Sequence, residues 1–145
     1  MPVIRIVHQT PLPASEAWER LTDWAGHGTH VPLTRMIIET AGQTRAGTIF
    51  TARTGVGRIT FDDRMEVTVW QPPAGTAPGL VRLEKRGRVV TGWAEIAFRP
   101  SPGGGTEIHW TESLRLRPLP RVLDPLVGKA GHHLFARAMT RLLAP

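Results

Sequence analysis

The stretch EIHWTESLRL, residues 107–116, alternates with a period of two. Ile108, Trp110, Leu114 and Leu116 fall in one phase, and Glu107, His109, Thr111, Ser113 and Arg115 in the other. That pattern describes a β-strand with one face on a core and the other toward water. Glu112 breaks it, because it shares the phase of the tryptophan and the leucines. On such a strand its carboxylate points inward, where an unpaired charge costs several kcal/mol, so it must be partnered, protonated or in contact with water held in a cavity. Beyond the strand the period changes, and from Leu119 the apolar residues recur at helical spacing.

Upstream of this strand the same period recurs. Leu80 to Arg86 and Val89 to Arg99 form a pair around the turn RGR (86–88), and SPGGG (101–105) leads into the quoted stretch. Thr34 to Thr40, Gly47 to Arg53 and Ile59 to Trp70 are rich in β-branched and aromatic residues and are separated by AGQTRAG and TGVG. Ahead of them AGHGTHVP (25–32) reads as a turn or a short helix ended by Pro32. SEAWERLTDW (15–24) reads as a helix with Ser15 as N-cap. Val3 to Gln9 is an opening strand. The spacing therefore predicts an α+β chain of seven strands in the order β-α-α-β6-α, forming one domain over residues 1–145.

The terminal helix has an irregularity of its own. Leu119, Val122, Leu123, Leu126, Val127 and Ala130 share one face, whereas Leu134, Phe135, Ala138, Met139 and Leu142 centre more than a quarter turn around the helix. The phase slips at Gly128 and Gly131, which marks either a kink or close packing of the helix on the sheet.

Composition excludes several functions. The chain has no cysteine, which removes disulfides and thiolate chemistry and fits a reducing, cytoplasmic setting. Nothing in MPVIRIVHQTPLP (1–13) reads as a signal peptide and no apolar run approaches membrane-spanning length, so a soluble, cytoplasmic protein is expected. The net charge of +6 raises the question of nucleic acid, but the arginines are scattered and the densest group, Arg82, Lys85, Arg86 and Arg88, surrounds one hairpin turn. Solvated strand faces account for them, and we expect no specific nucleic-acid binding.

Three further stretches carry a resemblance. HQTPLPASEAWERLTDW (8–24), MEVTVWQPP (65–73) and GWAEIAFRPSPGGGTEIHW (92–110) resemble the opening strand and helix, a tryptophan-closed strand end and the penultimate hairpin of the helix-grip (START/Bet v 1-like) superfamily. Within it the chain is most similar to the polyketide cyclase and dehydrase family, which includes aromatase-cyclases and lipid carriers. The resemblance implies a curved antiparallel sheet in the order 1-7-6-5-4-3-2, wrapped around the long C-terminal helix with an apolar cavity between.

If that cavity exists, strand parity names its lining. Phe50, Phe61, Met65, Ile96, Phe98 and Trp110 are the apolar ligand contacts, joined by Phe135 and His132 from the terminal helix. His8, Asp63 and Glu112 intrude as polar groups in the same phases and are the candidate catalytic residues. Strands one and seven are neighbours in the implied order, which makes His8 the natural partner of Glu112. Asp63 lies three strands away, roughly 14 Å along the sheet, and stands apart. In FDDRME either Asp62 or Asp63 faces inward, and Asp63 has an ordinary role open to it in stabilising the preceding turn.

Metal binding is not expected: His27 and His30 have no third ligand nearby in sequence, and His132 and His133 point about 100° apart on a helix. No phosphate-binding loop and no serine nucleophile motif is present, and no cofactor is implied.

Two readings of function follow. The first is binding of a small hydrophobic or aromatic ligand, lipid- or polyketide-like. Its catalytic version has Glu112 or Asp63 moving a proton in a cyclisation or dehydration, with His8 as relay. The second is a protein-interaction or assembly module with a filled cavity, for which outward Trp70 and Trp93 would form a contact patch.

Overall fold

The computed structural model describes residues 3–31, 33–117 and 121–144, except for the side chains of residues 28–30, 121, 124 and 127. Pro32, Leu119 and the side chains of His30 and Val127 lie outside the described residues. The seven expected strands form as β1 (Val3–Thr10), β2 (Thr34–Ile38), β3 (Ile49–Val56), β4 (Ile59–Gln71), β5 (Gly79–Arg86), β6 (Val90–Pro100) and β7 (Thr106–Leu116). They build one curved antiparallel sheet in the order β1-β7-β6-β5-β4-β3-β2. Alternation is the reason: β5 buries Val81, Leu83 and Lys85, and β7 buries Ile108, Trp110 and Glu112, all on one face.

Two short helices, α1 (Ala14–Leu21) and α2 (Trp24–His30), connect β1 to β2. Ser15 is not the cap of α1. Pro13 holds that position with an extended ψ of 153°, which places Ser15 inside the first turn. Asp23 caps α2 by accepting from the Gly26 N–H at 3.2 Å. The long helix α3 (Asp124–Leu142) runs unbroken through Gly128 and Gly131. At Gly131 close packing is the physical reason, since a Cβ there would meet Ile4 Cδ1 at 2.6 Å. Of the two apolar faces expected on this helix, the later one is buried, through Ala138, Met139 and Leu142. The earlier one is not, because Val122 and Leu126 stand 80% and 64% exposed.

A β-bulge in β4 corrects the outward assignment of Trp70. The register against β5 shifts between Val67 and Val69, so Val67 faces Leu83, Val69 pairs with Arg82 and Trp70 pairs with Val81. The extra residue turns Trp70 to the concave face, where its ring meets that of Trp18 at 4.8 Å. Trp93 stays on the convex face under the Arg82 guanidinium, 4.8 Å above its ring. The two tryptophans expected to share an outer patch therefore stand on opposite faces of the sheet.

Candidate functional site

The register arranges inward side chains in rows across the sheet, and these rows decide which residues meet. Phe98, Ile108 and His8 share the first row. Trp70, Val81, Ile96, Trp110 and Ile6 share the second, and Leu83, Ala94, Glu112 and Ile4 the third. Phe50, Met65, Lys85, Gly92 and Leu114 make the fourth. Over the first row and the Trp70 end of the second the concavity is filled: Trp18 of α1 sets its ring 5.1 Å from that of Phe98, and Arg20 bonds the Leu142 carbonyl at the end of α3. From Ile96 and Trp110 of the second row onward it is hollow. A pocket of about 320 Å³ remains between β2–β7, α2 and the middle of α3. Its walls are aromatic, with Trp110 stacked on Phe135 at 5.6 Å and Trp24 on Phe50 at 4.6 Å.

One polar cluster interrupts these walls. Lys85 is buried, and its Nζ donates to Asp63 Oδ2 at 2.6 Å while resting 3.7 Å from Met65 Sδ. It reaches toward Glu112 across β6, where the intervening residues in the register are Gly92 and Ala94 and no long side chain blocks the path. Burial pushes the Glu112 carboxyl above its ordinary range and the Asp63 charge adds to this; Lys85 and Trp110 pull it down without cancelling the rise. Burial by itself would lower Lys85, but the Glu112 and Asp63 charges and the Asp63 hydrogen bond hold it above the usual lysine value. The lysine is held as a cation, and burial inclines Glu112 to hold a proton.

Among the described residues four buried side-chain atoms have no hydrogen-bond partner: Trp24 Nε1, Asp63 Oδ1, Trp110 Nε1 and Glu112 Oε2. The Trp110 N–H is near enough to favour the Glu112 carboxylate, but its geometry falls short of a hydrogen bond, so both atoms count as unpartnered. All four residues line the same pocket. Native interiors seldom leave such atoms unmatched, which makes their convergence on one hollow informative.

Among the expected site residues the pocket brings together Glu112, Asp63, Trp110, Phe50, Phe61, Met65, Ile96 and Phe135. The choice between the two aspartates falls to Asp63, because Asp62 turns outward into a two-pronged pair with Arg53 at 2.8 and 3.0 Å. Three expected residues are elsewhere. His8 pairs in register with Ile108 whereas Glu112 pairs with Ile4, four residues along the strand, or about 13 Å at strand rise. The expected His8–Glu112 pair therefore does not form. Phe98 is fully buried against Trp18, beyond the filled end of the pocket. His132 is exposed beside His133 and Arg137 on the outer face of α3, because the turn carrying Leu134 and Phe135 faces the sheet.

Sequence reasoning missed Lys85, Trp24 and His27. Lys85 shares the odd phase of Val81 and Leu83, which was the available signal. His27 lines the pocket from α2, where its Nε2–H donates to the Leu21 carbonyl at 2.7 Å. Among the described residues no three His, Cys, Asp or Glu side chains converge as metal ligands.

Comparison with known proteins places this architecture. The chain is similar to TTHA0849 from Thermus thermophilus, with a TM-score of 0.72 and 16% identity over 99% of this chain and 98% of that one. It is similar to the human StarD13 lipid transfer and protein localization domain, with a TM-score of 0.72 and 10% identity over 97% and 75%. It also resembles the di-domain ARO/CYC BexL from the BE-7585A biosynthetic pathway, with a TM-score of 0.66 and 10% identity over 99% of this chain and 45% of that one. At these identities the likeness is one of fold. No curated protein matches the sequence. A family model described as polyketide cyclase / dehydrase and lipid transport matches residues 1–144, and the chain belongs to that family.

Proposed function

We propose that the protein binds a small hydrophobic or aromatic molecule, of lipid or polyketide kind, in the pocket beneath α3. The observation that carries this reading is the pocket itself: the aromatic walls around about 320 Å³ stay apart while the other half of the same concavity is packed solid. That volume stands just above the roughly 300 Å³ at which small-molecule sites begin. Burial of an apolar ligand supplies affinity, and the few polar groups supply orientation. The family description, and the names of the lipid transfer and ARO/CYC neighbours, support the same class of ligand. The interaction-module alternative is weakened, because Trp70 packs inward and Arg82 covers Trp93.

The test combines native mass spectrometry of the purified protein with titration by N-phenyl-1-naphthylamine, a neutral apolar fluorophore. A co-purifying small molecule that the fluorophore displaces, or saturable fluorescence enhancement at one site, supports the reading. No adduct and no saturable binding overturns it.

A catalytic version is favoured by one observation, the buried Glu112 carboxyl at the pocket wall with Oε2 unpartnered, where burial pushes it above its ordinary range. In it Glu112 gives its proton to the departing hydroxyl, which leaves as water, and the carboxylate so formed takes the proton from the carbon beside the carbonyl as the double bond forms, while the Lys85–Asp63 pair fixes its surroundings. His8 stands too far along β1 to serve as relay. Glu112→Gln should then abolish dehydration of a bound β-hydroxyketone while leaving its binding intact; undiminished turnover removes Glu112 from the chemistry.

A further inference from the structure

The four unpartnered atoms specify more than an apolar guest. Two are indole N–H donors, from Trp24 and Trp110, and two are carboxyl oxygens, from Asp63 and Glu112. Trp110 and Glu112 are two residues apart on the same face of β7 and both line the pocket, so one small group of a ligand can reach both free atoms. We infer that the ligand is an uncharged molecule whose apolar frame carries a hydroxyl, phenolic or enolic in kind, seated between Trp110 Nε1 and Glu112 Oε2. This inference rests on the pocket being a ligand site.

Charge decides against the other polar classes. A carboxylate ligand would meet two protein carboxyls, and the nearby cation, Lys85, is already committed to Asp63 at 2.6 Å. An ammonium ligand would share a buried space with that same lysine and would leave both indole donors unmatched. A ketone without a hydroxyl could accept from the indole or from a protonated Glu112, but it has nothing to donate when that carboxyl is ionised. A hydroxyl answers each state, since it accepts from an indole N–H or a protonated carboxyl and donates to a charged one. The raised proton affinity of Glu112 fits a pocket that takes a neutral partner in either state. Trp24 Nε1 and Asp63 Oδ1 offer the same pair of roles to a second oxygen of the ligand.

The experiment compares four probes of one shape at pH 7 by tryptophan fluorescence and calorimetry: naphthalene, 2-naphthol, 2-naphthoate and 2-naphthylmethylammonium. The expected order places 2-naphthol first, about tenfold tighter than naphthalene, the size of one buried hydrogen bond. Both ions should bind more weakly than 2-naphthol. Glu112→Met and Trp110→Phe keep the apolar wall and remove one hydrogen-bonding partner each; either should bring the 2-naphthol preference down to within about twofold of naphthalene. Should one variant fail to fold, the other carries the test. Equal binding of naphthalene and 2-naphthol overturns the inference and leaves the pocket reading standing, as does a preference that survives both substitutions. Tighter binding of either ion also overturns it. Binding of none of the four removes the pocket reading and the inference together.

Discussion

Lys85 is the residue on which the site's electrostatics turn. Its ammonium sits between two carboxyls in a buried setting, so removing it leaves Asp63 and Glu112 facing each other with no cation. Lys85→Met should cost about 3–5 kcal/mol at neutral pH, the usual result of breaking a buried pair from one side. Because the folded protein holds this lysine above its ordinary value, its contribution is present throughout neutral and acid pH and is lost only as pH rises through the folded value. The deficit of the variant should shrink on acidification, as the two stranded carboxyls take up protons; urea unfolding at pH 7 and pH 4 measures both. Glu112 behaves in the opposite way. Its raised value means that it favours the folded state below the ordinary carboxyl range and loses that contribution as pH rises through the folded value. Glu112→Gln should accordingly raise stability at pH 8 by on the order of 1 kcal/mol and leave it unchanged at pH 4. A loss of stability at pH 8 that faded toward pH 4 would show instead that Glu112 is held ionised. At this scale the sequence is half legible. The inward phase of Glu112 and Asp63 can be read from alternation, but Lys85 reads as one more member of the basic cluster around RGR. His8 reads as the partner of Glu112 because strand adjacency is implied while the register between strands is not.

Register is a property of elements, and it turns on a few backbone positions. Gly92 separates Lys85 from Leu114 in the pairing, and its φ of +130° brings the chain so close to β7 that a Cβ would lie 1.8 Å from the Ser113 carbonyl oxygen. Backbone cannot step aside as a side chain can, so Gly92→Ala should cost about 3 kcal/mol or more from strain and overlap together. Gly131 offers the control. There the obstacle is Ile4 Cδ1, the end of a side chain, and the gain in helix propensity offsets the crowding, so Gly131→Ala should stay within about 1 kcal/mol of the native protein. Thermal unfolding of the two variants side by side checks the contrast, and equal losses would mean that β6 and β7 can slide. The strands themselves are legible because a period of two is written in neighbouring residues. The bulge between Val67 and Val69 is not, since it depends on what β5 presents opposite, and with it goes the direction of Trp70. The phase slip in α3 is visible in the sequence as a position, but helical spacing alone groups its outer apolar residues Val122 and Leu126 on a face that the structure leaves open.

At the scale of the whole molecule the sheet's concavity is divided. One end is closed by Trp18, Phe98 and Trp70 packed edge to face, and the other keeps a hollow of about 320 Å³. Unfilled apolar space forgoes dispersion contacts that a solid core would make, so a molecule of this design should gain stability when the space is occupied. A ligand at a hundred times its dissociation constant adds about 2.7 kcal/mol, which in a domain of this size is roughly 5–10 °C of melting temperature. The same space can be filled from within. Ala52 lines the pocket and lies opposite Asp63 in the β3–β4 register, so Ala52→Leu projects three further carbons into the hollow. The variant without ligand should melt at or above the native temperature, and the rise produced by 2-naphthol should fall to a small fraction of its native size, because side chain and ligand compete for one volume. Two opposite outcomes would be informative. A lower melting temperature with an intact ligand response would mean that the hollow closes on itself around a smaller guest. An undiminished rise at unchanged stability would place the binding site outside the concavity, and the division between packed and open halves would then be a feature of folding alone.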